Sequence, residues 1–262
     1  MDKIKSYWNE RAVDAKGSPT ATTNDVFLRQ LEGVTLVSRL RDHRLRKLST
    51  ILDVGCGDGR TTLELARHFP DAHFLGIDFS PSMIEVARAN LTDQSDLGVR
   101  VAFLNGDARD LKGAVGNQKY DAIITNRCLI NIPEQEGQFL ALKEIADHLS
   151  DAGLFLGSEN FIGGQFQLNR LRGLMDLPEI PVRWHNFYLD EDVFLNECKK
   201  HFSSAILENF TSSYYYATRV IYSALCKIEN SPVDYEHPIH RVAMQLPPLG
   251  DLSPIKLIVA VK

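Results

Sequence analysis

The sequence has few cysteines, no long apolar run and no excess of positive charge. Its four cysteines, Cys56, Cys128, Cys198 and Cys226, are scattered with no Cys-x-x-Cys pair. That argues against a disulfide frame or a structural zinc site, predicts no metal site, and fits a reducing cytoplasm. No stretch approaches the ~20 apolar residues that cross a bilayer. Met1-Asp2-Lys3-Ile4-Lys5 is not followed by the apolar run of a secretion signal. A net charge of −5 has the wrong sign for a surface that coats nucleic acid. Repeats and low-complexity tracts are missing too. These gaps leave one large domain of 262 residues with no membrane and no nucleic-acid partner.

What is present is organised around Ile51-Leu52-Asp53-Val54-Gly55-Cys56-Gly57-Asp58-Gly59-Arg60. A short apolar run ends in an acid, glycines follow at alternate positions, and a helical pattern starts at Thr61. This reads as a buried strand, a tight turn and a helix N-terminus. Such a turn accepts positive φ and lets a ligand approach bare backbone, while the helix start offers free N–H groups. By itself it is a weak signal, open to an empty turn and ambiguous between cofactors, although the dinucleotide pattern G-x-G-x-x-G would place its third glycine at Arg60.

Strand and helix patterns then alternate. Strands are expected at 51–54, 73–78, 99–104, 120–125 and 154–158. Helices are expected at 61–69, from Ser80-Pro81 onward, and at 134–149, with Gly153 near the end of the last. Alternation of this kind predicts an α/β fold with a doubly wound parallel sheet and helices on both faces. Ligands in such sheets bind beyond the carboxyl ends of the strands. Four strand ends carry polar groups: Asp53 with its glycines, Asp78, Asp107 and Asn126. Any one of them alone reads as a turn former, but four along one sheet edge read as a site. Asp78, 19 residues beyond Gly59, is placed to accept from ribose hydroxyls, and Asp107-Ala108 to pair with an adenine edge. Phe79 and Met83 fit either a cover for that ring or ordinary core.

These stretches resemble the class I S-adenosylmethionine-dependent methyltransferases, of small-molecule type, over residues 47–160. The matching stretches are Asp53 to Gly59, Gly76-Ile77-Asp78-Phe79-Ser80, Asn105-Gly106-Asp107-Ala108 and Tyr120-Asp121-Ala122-Ile123-Ile124. Ser150-Asp151-Ala152 depart from the family's usual approach to the fifth strand. The resemblance implies a Rossmann-like sheet closed by an antiparallel C-terminal edge, with strands at 205–210 and 255–261, a helix over 217–225 between them and a turn at Pro247-Pro248-Leu249-Gly250. It implies S-adenosyl-L-methionine as cofactor. Asp53, Gly55 and Asn126 would hold its methionine end, Asp78 the ribose, and Asp107 and Ala108 the adenine, with Cys56 and Gly57 also in contact with the cofactor. After the fourth strand the chain reads Asn126-Arg127-Cys128-Leu129, not the Asn-Pro-Pro-Tyr of base methyltransferases.

The chain divides as an N-terminal helical lid (1–45), a cofactor core (46–158), a substrate cap (159–200) and C-terminal strands with a helix (201–262). In the lid, residues 17–24 read as a loop, Thr23 or Asn24 as the cap of the next helix, and Tyr7 and Trp8 as a cover for the cofactor or as a packing clasp. In the cap, Phe161–Met175 holds one or two helical turns. Arg183-Trp184-His185-Asn186-Phe187-Tyr188 mixes polar and aromatic groups suited to a polar, anionic small molecule. Arg127, Arg183 and Asn186 are the candidate acceptor contacts. His185 and Tyr188 are the candidate catalytic groups, His185 as base. Tyr214-Tyr215-Tyr216 are candidate walls. The expected reaction is O-methylation of a hydroxyl, carboxyl or phosphate-type oxygen on a sugar or related metabolite. N-methylation, a nicotinamide-dependent oxidoreductase and a non-catalytic binding subunit are the alternatives. A homodimer is the oligomeric state considered.

Overall fold

The computed structural model describes residues 2–15, 23–42, 48–94 and 96–262. Most of the expected loop at 17–24, and the basic stretch 43–47, lie outside the described residues. Among those described, seven strands form one sheet: β1 (Thr50–Val54), β2 (His73–Asp78), β3 (Val101–Asn105), β4 (Tyr120–Asn126), β5 (Leu149–Asn160), β6 (Ser204–Asn209) and β7 (Ile255–Val261). Their spatial order is β3-β2-β1-β4-β5-β7-β6. The first five are mutually parallel, and β7 runs antiparallel between β5 and β6. The chain reverses direction across the sheet between β1 and β4, which makes the carboxyl ends of these two strands the switch point where ligands bind.

The central strands β1 and β4 and the second half of β5 are largely apolar because both their faces are covered. Ile51, Ala122, Ile124 and Leu156 pack to one side, and Leu52, Val54, Ile123 and Phe155 to the other, as the two-residue period of a strand requires. On the first side lie α2 (Val26–Asp42), α3 (Arg60–His68) and α4 (Pro81–Thr92). On the second lie α5 (Leu111–Val115), α6 (Gln135–His148) and α8 (Glu191–Cys198). Ile123 is wholly buried in the central strand, and its truncation to Ala should cost about 2–5 kcal/mol.

Helix starts follow local chemistry. The Ser80 hydroxyl accepts the Met83 N–H, with Pro81 in the first turn, as expected for such a start. The cap of α2 is Asp25, neither Thr23 nor Asn24: its carboxylate accepts the Leu28 N–H at 3.0 Å, while Thr23 Oγ1 accepts the Asp25 N–H.

Several boundaries differ from those expected. Strand β3 begins at Val101, because Leu97 O accepts the N–H groups of Arg100 and Val101 and closes a turn that leaves Val99 exposed. Helix α6 stops at His148, and Leu149–Gly153, read as a helix end, already belong to β5, which is irregular there. The cap helix α7 (Ile162–Leu174) runs unbroken for 13 residues, longer than one or two turns, because Leu168 and Gln165 bury one face of it.

The polar N-terminus forms helix α1 (Asp2–Ala15), which packs against α4. The expected helix over 217–225 is composite: α9 (Ser212–Tyr215), a π-helical turn (Tyr216–Ile221) and α10 (Tyr222–Ile228), followed by α11 (Pro238–Ala243). π-turns are rare and concentrate at functional sites. No described helix is long and apolar enough to cross a membrane.

Candidate functional site

The three acids at the ends of β1, β2 and β3 sit along one sheet edge in different environments. Asp53 is buried, and its carboxylate accepts the Thr62 hydroxyl at 2.6 Å. Burial pushes its pKa up to about 7, with Thr62 opposing. Asp78 accepts the N–H of Gly57 at 2.9 Å and of Ser80 at 2.8 Å, so one carboxylate fixes both the glycine turn and the start of α4. Burial pushes it up to about 6. Asp107 is half-buried; burial works against its charge, but Arg109 outweighs that and holds the carboxyl below its usual range. Arg109 does so with Nε at 3.0 Å and Nη2 at 2.7 Å.

The glycine turn is as tight as the alternate spacing implied. Gly55 has φ +75°, and a Cβ there would lie 2.4 Å from Cys128 Sγ. Only glycine permits this approach between the β1 and β4 loops.

The ends of β4 and β5 are built differently. Glu159 is wholly buried and accepts backbone N–H groups from Cys128 and Leu129 at 3.0 and 3.1 Å. Burial raises it to about 7, against those bonds. The β4 loop is thereby fixed, and Arg127 is held in the left-handed region at φ +53°, which a non-glycine residue seldom adopts. Its N–H donates to Ser158 O, and its carbonyl accepts Asn131 Nδ2 at 2.7 Å. Its guanidinium meets Glu32 Oε2 at 3.3 Å, although Oε2 makes no hydrogen bond. Glu32 is wholly buried, which raises its pKa, with Arg127 opposing.

Helix α1 closes over this region. Trp8 Nε1 donates to Asn131 Oδ1 at 3.0 Å, and Asn9 Oδ1 accepts the Ser80 hydroxyl at 2.6 Å. Tyr7 stacks on the His185 ring at 4.5 Å, with Trp8 and Trp184 edge-on at 5.5 and 5.4 Å. His185 is 4% exposed. Burial, with Arg183 adding to it, pushes its pKa down to about 4.

All these ends open into one cavity of about 290 Å³. It is lined by Trp8, Asp53, Gly55, Cys56, Gly57, Asp78, Phe79, Met83, Asp107, Ala108, Asn126, Arg127, Arg183, His185, Asn186 and Tyr188. The sequence-derived candidates therefore converge, with one exception. Tyr7 is not a wall, because its ring is spent on His185. Of the three tyrosines, Tyr215 lines the cavity, Tyr214 turns its hydroxyl to Asp25 at 2.6 Å, and Tyr216 is exposed.

The structure adds residues that the sequence reading missed. Asp25 and Arg29 on α2 line the cavity, as do Asn160, Gln165, Arg219 and Tyr235. Arg29 reaches Asp58 at 3.7 Å. Arg219 pairs with Asp25 through a very short contact and lies over the Tyr235 ring at 4.8 Å. One signal was available: Asp25, Arg29 and Glu32 share the helical face of the buried Leu28 and Leu36, and charges inside an apolar stripe are seldom idle. The described residues hold no group of three or more potential ligands arranged for a metal.

Comparison with known proteins follows this division of the site. Residues 51–153, which carry β1 through the start of β5, match the methyltransferase domain family. The tRNA1(Val) (adenine(37)-N6)-methyltransferase of Porphyromonas gingivalis is 40% identical over 77 residues, 29% of this chain and 30% of that protein. The malonyl-[acyl-carrier protein] O-methyltransferase of Acetivibrio thermocellus is 43% identical over 76 residues, 29% of this chain and 24% of its own. The trans-aconitate 2-methyltransferase of Methylobacterium radiotolerans is 38% identical over 85 residues, 28% of this chain and 30% of its own. The chain thus spans less than a third of the length of these relatives. The fold extends further. The magnesium protoporphyrin IX methyltransferase of Synechocystis, solved with S-adenosylhomocysteine, superposes with a TM-score of 0.62 at 17% identity, over 100% of this chain and 99% of its own. The plantazolicin methyltransferase gives 0.58 at 15% identity, over 100% and 98%. Residues 51–153 thus match the methyltransferase domain family, and the sheet that carries them has the Rossmann-like fold of these solved methyltransferases.

Proposed function

We propose that the protein transfers the methyl group of S-adenosylmethionine to an oxygen of a polar small molecule. The observation that carries this reading is the single cavity into which the ends of β1, β2, β3 and β4 open, acids on one side and the polar cap on the other. Asp78 would accept from the ribose hydroxyls, and Asp107 with the Ala108 N–H would pair with the adenine edge between Phe79 and Met83. Asp53 and Asn126 would receive the methionine ammonium, with Gly55, Cys56 and Gly57 supplying close backbone. Asn126 Oδ1 is a buried acceptor with no partner, as a site awaiting a donor requires. Arg29, across from Asp58, would take the methionine carboxylate. The bound donor supplies an already activated methyl, so the protein's task is orientation and exclusion of water.

Arg127, Arg183, Asn186 and Tyr188 would hold the acceptor. The named relatives act on unlike acceptors, so the stretch they share speaks for the donor site and leaves the acceptor to the cap. His185 is a poor base in this setting, being stacked, buried and held near pKa 4; a shape-setting wall fits it better. All four thiols are free, which fits the reducing cytoplasm in which we place the protein.

Calorimetric titration of S-adenosylmethionine, S-adenosylhomocysteine and NADH tests this. Binding of the first two, lost in Asp78→Ala, is the expected result. Binding of NADH alone would favour hydride transfer and end the methyltransferase reading. Donor binding without turnover of any acceptor class would favour a non-catalytic subunit, and methylation of amines alone would move the proposal to nitrogen.

A further inference from the structure

The acceptor side of the cavity is rich in donors and poor in usable bases. Arg127 enters from the β4 loop, Arg183 from the cap and Arg219 from the π-turn. Their acidic partners are unequal. Asp25 is closed off: it binds Arg219, the Tyr214 hydroxyl and the Leu28 N–H. Glu32 meets Arg127 at 3.3 Å without a hydrogen bond at Oε2. Arg127 is therefore charge-balanced but geometrically loose, and its fixed backbone aims the side chain from the switch point.

Among the described residues on this side, few groups could deprotonate an alcohol or an ammonium. His185 has one face stacked on Tyr7 and two indoles at its edges. Burial holds it neutral and weakly basic. Burial raises the Tyr188 and Tyr215 hydroxyls further above their ordinary range, so neither supplies a phenolate base at neutral pH. Asp25 has no oxygen left without a partner. Tyr235 is 38% exposed and lies under the Arg219 guanidinium.

We infer that the acceptor is a small carboxylic acid bound as its carboxylate among Arg127, Arg183 and the Tyr188 hydroxyl, and that the product is its methyl ester. The inference rests on the methyltransferase reading and narrows it to one substrate class. A carboxylate needs no base, because its oxygen is already anionic at neutral pH. A carboxylate oxygen lone pair forms the new O–C bond to the methyl. The C–S bond breaks, its electron pair stays on sulfur, and the sulfonium becomes a neutral thioether. One anion and one cation give two neutral groups, and no proton is released. An alcohol or an ammonium acceptor would release one proton per methyl transferred.

The test uses the full chain saturated with S-adenosylhomocysteine. Matched probes are titrated by calorimetry: succinate against succinamide, citrate against glycerol, and benzoate against benzyl alcohol. At least one acid should bind, and its neutral partner at least tenfold more weakly. Arg183→Gln, at an exposed position, and Arg127→Gln should each weaken the acid about tenfold or more while S-adenosylhomocysteine binding stays within about threefold. With saturating S-adenosylmethionine at every pH, the product should release methanol in mild alkali, the rate should stay flat between about pH 6.5 and 9, and an indicator dye should register no proton. If S-adenosylhomocysteine binds but no acid does, or if alcohols or amines are methylated with proton release, the carboxylate assignment is overturned and the donor reading stands. If S-adenosylhomocysteine does not bind, the donor reading itself fails.

Discussion

The two halves of the cavity are built on opposite plans. At the ends of β1, β2 and β3 the three acids lie within a few residues of a strand end, and each is held by a bond to a nearby group, Asp53 by the Thr62 hydroxyl. Asp78 holds Gly57 and Ser80; Asp107 holds Arg109. At the ends of β4 and β5 the groups come from far apart in the chain: Glu32 from α2, Trp8 from α1, His185 from the cap and Arg219 from the π-turn. The first half is a local device that many chains can share. The second is assembled only by folding, as expected of the part that selects one acceptor. The family match ends at residue 153, before the cap begins.

The largest expected effect that would sharpen this contrast is at Asp78. In the proposed site, replacing it with Ala would remove the charged acceptor of two ribose hydroxyls, each worth about 1.5–3 kcal/mol. Donor affinity should fall by roughly a hundredfold or more, read by calorimetry. Next comes Arg127→Ala, which strands a buried carboxylate. Denaturant unfolding should show about 3 kcal/mol of lost stability, as breaking a buried pair commonly does. Adding Glu32→Gln should recover much of it, while donor affinity barely moves. Equal loss of donor affinity in both variants would break the division between the halves.

A third effect is in pH. Asp78 and Asp53 have pKa values raised to about 6 and about 7 by burial. A carboxyl raised on folding keeps its proton when the unfolded chain has lost it. Its contribution therefore weakens the free protein as pH rises from about 4 to 7. Donor binding needs the ionised forms, so affinity should rise across about pH 5 to 8, and Asp53→Asn should flatten the upper part of that rise. Smaller still is Trp8→Phe, which removes the bond to Asn131. It should raise the acceptor KM by about fivefold, one hydrogen bond's worth, with kcat little changed. The smallest is His185→Gln: if the ring is a wall and not a base, kcat should stay within about threefold, less than one hydrogen bond's worth, and the pH profile keep its shape.

The same contrast explains what could be read in the sequence. The glycine turn, Asp78 and Asp107-Ala108 were legible because their chemistry is local: an apolar run, a turn and an acid declare themselves within about six residues. The parallel core and antiparallel edge followed from alternation and from the family resemblance. Asp25, Arg29 and Glu32 look like ordinary polar positions of a surface helix until α2 is laid over the sheet. Arg219 was hidden by the π-turn, which shifts side chains off the helical period used to read them. Tyr7 could not be placed from sequence because a clasp and a cover have the same composition; in the structure its ring stacks on His185.

The most direct test of the account is calorimetric titration of S-adenosylhomocysteine into three proteins: wild type, Asp78→Ala and Arg183→Gln. S-adenosylhomocysteine should bind wild type, fail to bind Asp78→Ala and bind Arg183→Gln undiminished. Undiminished binding in Asp78→Ala, or a comparable loss in Arg183→Gln, would contradict this expectation.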